Sequence, residues 1–260
     1  MCLIVFSYKT NPDFPFLLAG NRDEFFERPT QPAHKWKTNP AIFAGKDKKA
    51  GGTWLGFTET GRFAALTNFR DMNNLKENAP SRGEIVTNFL LDNNSVETSL
   101  AMLKQRSNLY NGFNLIAGTF DDKLYYLSNY TEEIEEIKPG IHAISNAYLN
   151  TPWPKTVRAK EEFENVIKTN NFRDQYLFEI LKNSTTYPIE MLPETGLSED
   201  MEQAVSSAFI QTENYGTRST SLVRVDSNQN AELIEHTYKP GTKTITNREK
   251  HSCKYEVSST

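Results

Sequence analysis

Cys2 is the second residue of a 260-residue chain whose other cysteine, Cys253, lies at the far end. Once Met1 is removed, this one residue carries both a thiol and a free α-amine. The amine has a pKa of roughly 7.7 to 8.0, against about 8.5 for a thiol and about 10.4 for a lysine amine. It is therefore partly unprotonated near neutral pH, where general bases work best, and can take the proton of its own thiol or of a water. Such a nucleophile needs no histidine beside it. Two other readings fit Cys2 taken alone: a small buried hydrophobe opening an apolar strand, and an acylation site near a terminus. A retained Met1 would block the amine and exclude the nucleophile.

The densest polar cluster behind a strand-like run is Asn21-Arg22-Asp23-Glu24, directly after Phe16-Leu17-Leu18-Ala19-Gly20. A hairpin from Cys2 to Asn21 returns this cluster to the end of the sheet that holds Cys2. An arginine near a thiol favours the thiolate, and a carboxylate near an α-amine can orient it. The same four residues also suit a turn with a surface Arg22/Glu24 pair. Asn68 closes Ala64-Ala65-Leu66-Thr67, and Asn146 closes Ile141-His142-Ala143-Ile144-Ser145. An asparagine amide at a strand end can donate to a developing oxyanion or cap a turn. Arg218, in Gly216-Thr217-Arg218-Ser219-Thr220, is a second candidate arginine.

Other chemistries lack their patterns. His34, His142, His236 and His251 are scattered, with no cysteine at metal-ligand spacing, so no zinc site is expected. Gly51-Gly52-Thr53-Trp54 lacks the strand-to-helix setting of a phosphate loop, and there is no Gly-x-Ser-x-Gly elbow.

The elements that must position these residues read as strands in bursts with helices in pairs between them. Strand-like runs cover Cys2 to Tyr8, Phe16 to Asn21, Ile42 to Gly45, Thr53 to Phe57 and Arg62 to Asn68, with a proline-rich polar loop (Pro29, Pro32, Pro40) after the second. Ser81 and Glu84 have the spacing of a capping box and predict a helix start, and a second helix runs from Ser95 to Gln105. Strands return at Asn114 to Thr119, Lys123 to Leu127 and Ile141 to Ser145. Helices follow at Pro154 to Thr169, about Asp174 to Lys182, and Ser198 to Phe209. Strands Ser219 to Val225 and Glu232 to Thr237 complete the pattern. The polar tail from about Asn247 is expected to fray. Two mainly antiparallel sheets stacked face to face and flanked by helices make an α+β sandwich, with residues 1–260 forming one domain.

A net charge of −4 and the absence of a basic patch argue against a nucleic-acid partner. The interrupted Lys46-Asp47-Lys48-Lys49 stretch reads as a solvated loop. Two distant cysteines give no disulfide framework, which points to a reducing compartment. The apolar run Cys2 to Phe6 is too short for a signal peptide or a membrane span, so a cytoplasmic protein is the expectation.

Met1-Cys2-Leu3-Ile4, Ala19 to Glu24, Gly52-Thr53-Trp54-Leu55-Gly56 and Leu66-Thr67-Asn68-Phe69-Arg70 together resemble the NRDE family, which includes the transport and Golgi organisation protein 2 of animals. The resemblance continues through Ser145-Asn146-Ala147, Trp153-Pro154-Lys155 and Gly216-Thr217-Arg218. That family is similar in turn to N-terminal-nucleophile (Ntn) hydrolases of the bile-salt hydrolase and penicillin V acylase type, and so implies a four-layer αββα fold. The resemblance makes Cys2 the nucleophile and base, sets Arg22 by the thiol and has Asp23 hold the amine. It makes Asn68 and Asn146 oxyanion donors and Arg218 the second arginine. One departure stands out: Arg22 and Asp23 are adjacent, whereas the hydrolases separate the pair by three residues. Neighbours in a strand point to opposite faces, so either a bulge intervenes or Asn21 and Glu24 share the roles.

Two functions follow as expectations. One is a cysteine hydrolase of a non-peptide amide or related acyl bond, needing no metal or cofactor. The other is a carrier of an amphipathic ligand in the same cleft, since the family is linked to haem trafficking and to lipid or acyl-coenzyme A handling. A third, a secretory organisation factor, follows from the animal name alone.

Overall fold

The computed structural model describes residues 3–169 and 173–256. Alternation builds the first hairpin: β1 (Leu3–Tyr8) and β2 (Phe16–Phe25) pair antiparallel, with Leu3 opposite Asn21 and Tyr8 opposite Phe16. Asn11 ties the turn between them, its Oδ1 accepting from the N–H groups of Asp13 and Phe14 at 2.9 and 3.2 Å.

Seven strands form one sheet in chain order: β3 (Thr30–Lys35), β4 (Ile42–Asp47), β5 (Leu55–Thr58), β6 (Arg62–Asn68), β7 (Phe113–Thr119), β8 (Leu124–Ser128) and the two-residue β9 (Glu135–Glu136). The other sheet runs β10 (Gly140–Ile144), β1, β2, β11 (Tyr215–Val225), β12 (Asn230–Tyr238), β13 (Ile245–Lys254). All its neighbours pair antiparallel, so β2 lies between β1 and β11.

Period-two alternation sorts the side chains into layers. Ile4, Phe6, Phe16 and Leu18 face inward and pack against Phe57, Phe63 and Ile116 of the facing sheet. Leu3, Val5, Leu17 and Ala19 face outward, under α3 (Pro154–Ile167) and α4 (Asp174–Leu181), where Phe163, Leu177 and Leu181 cover them. On the opposite side α1 (Gly83–Leu91) and α2 (Val96–Arg106) set Ile85, Phe89, Leu90 and Leu100 on Leu66 and Leu115. The result is a four-layer αββα sandwich. Each buried phenylalanine contributes about 1.5–3 kcal/mol over its exposed state.

Four local expectations are corrected. The proline-rich stretch contains β3, because Pro32 sits at an irregularity between Gln31 and His34 on an edge strand, where a missing N–H breaks no ladder. The described part of the polar tail is not frayed: Asn247 to Lys254 lie in β13, which pairs with β12 and turns alternate residues toward solvent, while residues 257–260 lie outside the described residues. The capping box does not form, because Glu84 Oε1 accepts from Tyr110 Oη at 2.7 Å while Ser81 Oγ takes the N–H of Gly83 at 3.3 Å. The last helix is shorter than its pattern, α5 (Glu199–Ala204), capped by Ser198.

Candidate active site

All of Asn21-Arg22-Asp23-Glu24 lies within β2 rather than in a turn, and alternation divides it. Asn21 and Asp23 face the helices; Arg22 and Glu24 face the other sheet. Asn21 is fully enclosed, and its amide donates to the carbonyls of Leu181 and Ala208 at 2.9 and 2.7 Å and accepts from Thr220 Oγ1 at 2.6 Å. It clamps the end of α4 and the approach to β11 onto the sheet. Asp23 is also buried: Oδ1 accepts from Thr217 Oγ1 at 2.6 Å, while Oδ2 has no hydrogen-bond partner among the described residues.

Arg22 crosses the gap between the sheets. Its guanidinium carbon is 4.3 Å from the Trp54 ring centre, Nη1 donates to Thr30 Oγ1 at 3.2 Å, and Nη2 is 3.8 Å from Glu24 Oε2. A desolvated cation over an aromatic face is worth about 2 kcal/mol. Burial lowers the Arg22 pKa below the ordinary arginine value; Glu24 opposes this, and Arg218 adds to it. Trp54 packs its ring on Gly45, where a Cβ would come within 2.4 Å of it, and a Cβ on Gly52 would come within 2.4 Å of the Gly83 backbone, so glycine lets this strand entry touch the start of α1.

A bulge does intervene near the motif, but on the partner strand. Thr217 is opposite Asp23 and Ser219 opposite Arg22, which leaves Arg218 as the extra residue of β11. Its Nη1 donates to the carbonyl of Phe25 at 3.1 Å and to that of Arg28. The second arginine thus braces the chain leaving β2. Burial lowers its pKa, and Glu24 opposes that.

Arg22 and Asn68 line a shared cleft of about 550 Å³, together with Trp54, Arg28, Glu77 and Arg82. Arg28 is held by Asp47, its Nε donating to Oδ2 at 2.9 Å. Burial raises the Asp47 pKa, but the hydrogen bonds from Arg28 and from the Lys49 N–H outweigh it and hold the carboxyl below its ordinary value. The Asn68 carboxamide makes no hydrogen bond within the described residues, while its backbone carbonyl accepts from Asn146 Nδ2 at 2.9 Å. The two asparagines, 78 residues apart, therefore meet where the ends of the two sheets approach.

Cys2 lies outside the described residues. Leu3, to which it is bonded, stands opposite Asn21, the residue before Arg22. Of the remaining predicted residues, the structure brings Arg22, Asn68, Asn146 and Arg218 to one end of the sandwich and turns Asp23 to the other face of β2. Sequence reasoning missed Trp54, Arg28 and Asp47, although Trp54 lies in a quoted motif. It also missed Thr217, the donor to Asp23. Glu202, which pairs with Arg70 at 2.8 Å, carries no local signal.

The fold places the chain in a structural class. A mutant conjugated bile acid hydrolase from Clostridium perfringens superposes with a TM-score of 0.54 at 12% identity, over 98% of this chain and 97% of that one. Penicillin V acylase from Agrobacterium tumefaciens gives 0.51 at 14% identity, over 92% and 84%. The architecture is that of the Ntn hydrolases. The family is narrower: residues 1–240 match the Transport and Golgi organisation 2 model. The human Transport and Golgi organization protein 2 homolog is 32% identical over 255 residues, 90% of this chain and 92% of its own length. The chain belongs to the Transport and Golgi organisation 2 family. No described helix is long and apolar enough to cross a membrane.

Proposed function

We propose that the protein is a cysteine Ntn-type hydrolase of a non-peptide amide or related acyl bond, with Cys2 as nucleophile after loss of Met1. The observation that carries the reading is Asn68, a carboxamide with no partner among the described residues, in the cleft lined by Arg22 at the end of the sandwich where β1 begins. The α-amine of Cys2 takes the thiol proton and the sulfur attacks the carbonyl carbon. The oxygen, now negative, accepts from the amides of Asn68 and Asn146. Collapse breaks the acyl–nitrogen bond, and the leaving amine takes the proton held on the α-ammonium. Water, giving its proton to the α-amine, then attacks the thioester and releases the acid and the free thiol.

The buried Arg22 favours the thiolate. Oδ2 of Asp23, without a partner among the described residues, is an acceptor suited to an ammonium. Arg218, within electrostatic reach of Arg22, keeps the segment after β2 in place. The solved neighbours are named as acylases and amide hydrolases, which agrees with this reading. Residues 1–260 act as one unit here, since β13 completes the sheet that β1 and β2 begin. A cytoplasmic site of action goes with a reduced, unpaired Cys253. The test has two steps: an intact mass of the native protein, then assay against a panel of acyl amides. Quantitative retention of Met1 ends the amine-as-base mechanism.

The orientation of Asp23, opposite to Arg22, favours a second reading: a carrier that binds haem or an acyl lipid as cargo without turnover. None of the cleft-lining residues is His, Met or Tyr, so a thiolate from Cys2 would be the iron ligand. Saturable haem binding with an absorbance shift that disappears in Cys2→Ala, in a protein inert toward acyl amides, selects the carrier. The family name alone supports a role in secretory organisation.

A further inference from the structure

Two motif residues have no part in the reaction above: Arg70, two positions beyond Asn68, and Lys155 of the Trp153-Pro154-Lys155 run. Lys155 is buried and Arg70 partly so, both beside Glu202 of α5. Arg70 Nη1 donates to Glu202 Oε2 at 2.8 Å, and its Nη2 donates to Asn146 Oδ1 at 2.9 Å. Its backbone N–H donates to the Asn146 carbonyl at 2.8 Å. The guanidinium lies 5.3 Å from the Trp153 ring centre. Glu202 Oε1 is taken by the backbone N–H of Thr195 at 3.1 Å and by its hydroxyl, so the carboxylate cannot swing away without losing several bonds. Lys155 Nζ donates to the Val205 carbonyl at 2.9 Å and holds the end of α5 in place.

The chemistry of this contact decides an ambiguity. The two ends of an asparagine carboxamide have nearly the same shape, yet one accepts and the other donates. A guanidinium has five donors and no acceptor, so the end that faces Arg70 must be Oδ1. Nδ2 must then face the other way, and there it meets the carbonyl of Asn68 at 2.9 Å. A flip would set donor against donor at Arg70 and acceptor against acceptor at Asn68, both in partly buried surroundings. One Nδ2 hydrogen bonds Asn68; the second has no partner among the described residues.

We propose that Arg70, held by Glu202, is a positioning residue that fixes which end of Asn146 is offered to the substrate, making Nδ2 the oxyanion donor. The catalytic consequence rests on the hydrolase reading; the fixing of the amide rests on the geometry alone. Arg70 acts through Asn146 and does not touch the reacting atoms.

The test uses Arg70→Met, Arg70→Lys and Glu202→Gln in the full chain with Met1 removed. The probe is a p-nitrophenyl acyl ester, followed by nitrophenol release and by the mass of acylated protein. Loss of the oriented donor in Arg70→Met should lower kcat by about 10² to 10³, the range for one oxyanion donor. KM should stay near that of the wild type. Arg70→Lys, which restores a donor without the fork, should recover part of the rate. Glu202→Gln, which keeps the shape but removes the charge, should show a smaller loss and covers the case in which Arg70→Met does not fold. A folded Arg70→Met with the wild-type kcat overturns the catalytic consequence.

The second readout needs no turnover. In protein labelled with ¹⁵N-asparagine, the Asn146 side-chain pair, assigned with Asn146→Asp, should shift or split in Arg70→Met and Glu202→Gln as the amide samples both orientations. An unchanged pair overturns the inference. If the wild type is never acylated while this pair responds, the hydrolase reading falls and the positioning stands.

Discussion

Asn21, inside β2, and Asn68, at the end of β6, are the same residue type, one in each sheet, and they live in opposite circumstances. Asn21 is enclosed under the helices, its amide donating to the carbonyls of Leu181 and Ala208 and accepting from the Thr220 hydroxyl. Asn68 stands at the cleft with its amide uncommitted among the described residues, beside cations on Arg22, Arg28 and Arg82. A saturated amide can hold elements together but has nothing left to offer a substrate. An uncommitted amide in a cleft adds little to the fold and is free to meet charge as it develops.

The harshest way to break this comparison is to remove what Asn68 would serve. Cys2→Ala should abolish turnover of any acyl-amide substrate, a loss on the order of 10⁴-fold or more, with the melting curve and ligand affinity little changed. Residual turnover near the wild-type rate would dissolve the distinction between the two regions.

Next in size, Asn68→Ala should lower kcat by about 10² to 10³ and leave thermal stability near that of the wild type. Asn21→Ala should do the reverse. Three buried hydrogen bonds at roughly 1 kcal/mol each, plus the carbonyls left unpaired, predict about 3 kcal/mol or more of lost stability by urea titration. The molecules that remain folded should keep their kcat. If both variants lose stability alike, or both lose kcat alike, the comparison is wrong.

A smaller effect tests the helix-covered side through pH. His236 in β12 stacks on Phe178 at 3.9 Å between ring centres, and its buried Nδ1 has no partner among the described residues. Burial lowers its pKa to about 4, helped by Arg248 and Lys182 and opposed by Glu179. The unfolded chain protonates this residue near pH 6.5, the folded one only near 4, so its stabilising contribution is complete above 6.5 and is lost as pH falls toward 4. Because the ring is only half-buried, the expected size is about 1–2 kcal/mol after solvent screening. His236→Gln should flatten that part of the stability–pH curve relative to wild type. An unchanged slope between pH 6.5 and 4 counts against this account of His236.

The smallest effect concerns the far thiol. Burial pushes the Cys253 pKa up to about 11, with Glu59 adding to it and Lys35 opposing. Iodoacetamide at neutral pH followed by peptide mapping should therefore label Cys2 at least about ten times faster. Cys253→Ser should leave turnover unchanged. Preferential labelling of Cys253 would remove the case for a tuned thiolate at the opposite end.

Much of the architecture was legible because it depends on local patterning. The apolar runs Leu3 to Tyr8 and Phe16 to Gly20, joined by the Thr10-Asn11-Pro12-Asp13 turn cluster, are enough to predict a hairpin, and α2 begins just after Ser95, close to its expected start. The failures share one cause. The run Ile245 to Lys254 has no apolar period, and it becomes β13 only because β12 offers a ladder to pair with. Ser81 and Glu84 have the capping-box spacing, yet Tyr110 reaches across 26 residues and takes the carboxylate. Long-range partners outcompete local pattern wherever both want the same atoms.

The site divides along the same line. The order Asn-Arg-Asp-Glu in a strand was sufficient to separate Arg22 from Asp23, because alternation is a property of the extended backbone. Sequence also established the residue types: a cysteine at position 2, asparagines at strand ends, an arginine after Thr217. Which asparagine is saturated and which is left open was decided by carbonyls 160 and 187 positions away from Asn21. That Asn68 and Asn146 meet, and that Arg70 and Glu202 set the direction of the second amide, depends on two sheets and α5 closing on one another. Hydrogen-bond saturation depends on every neighbour in space, and only the packed chain supplies those neighbours.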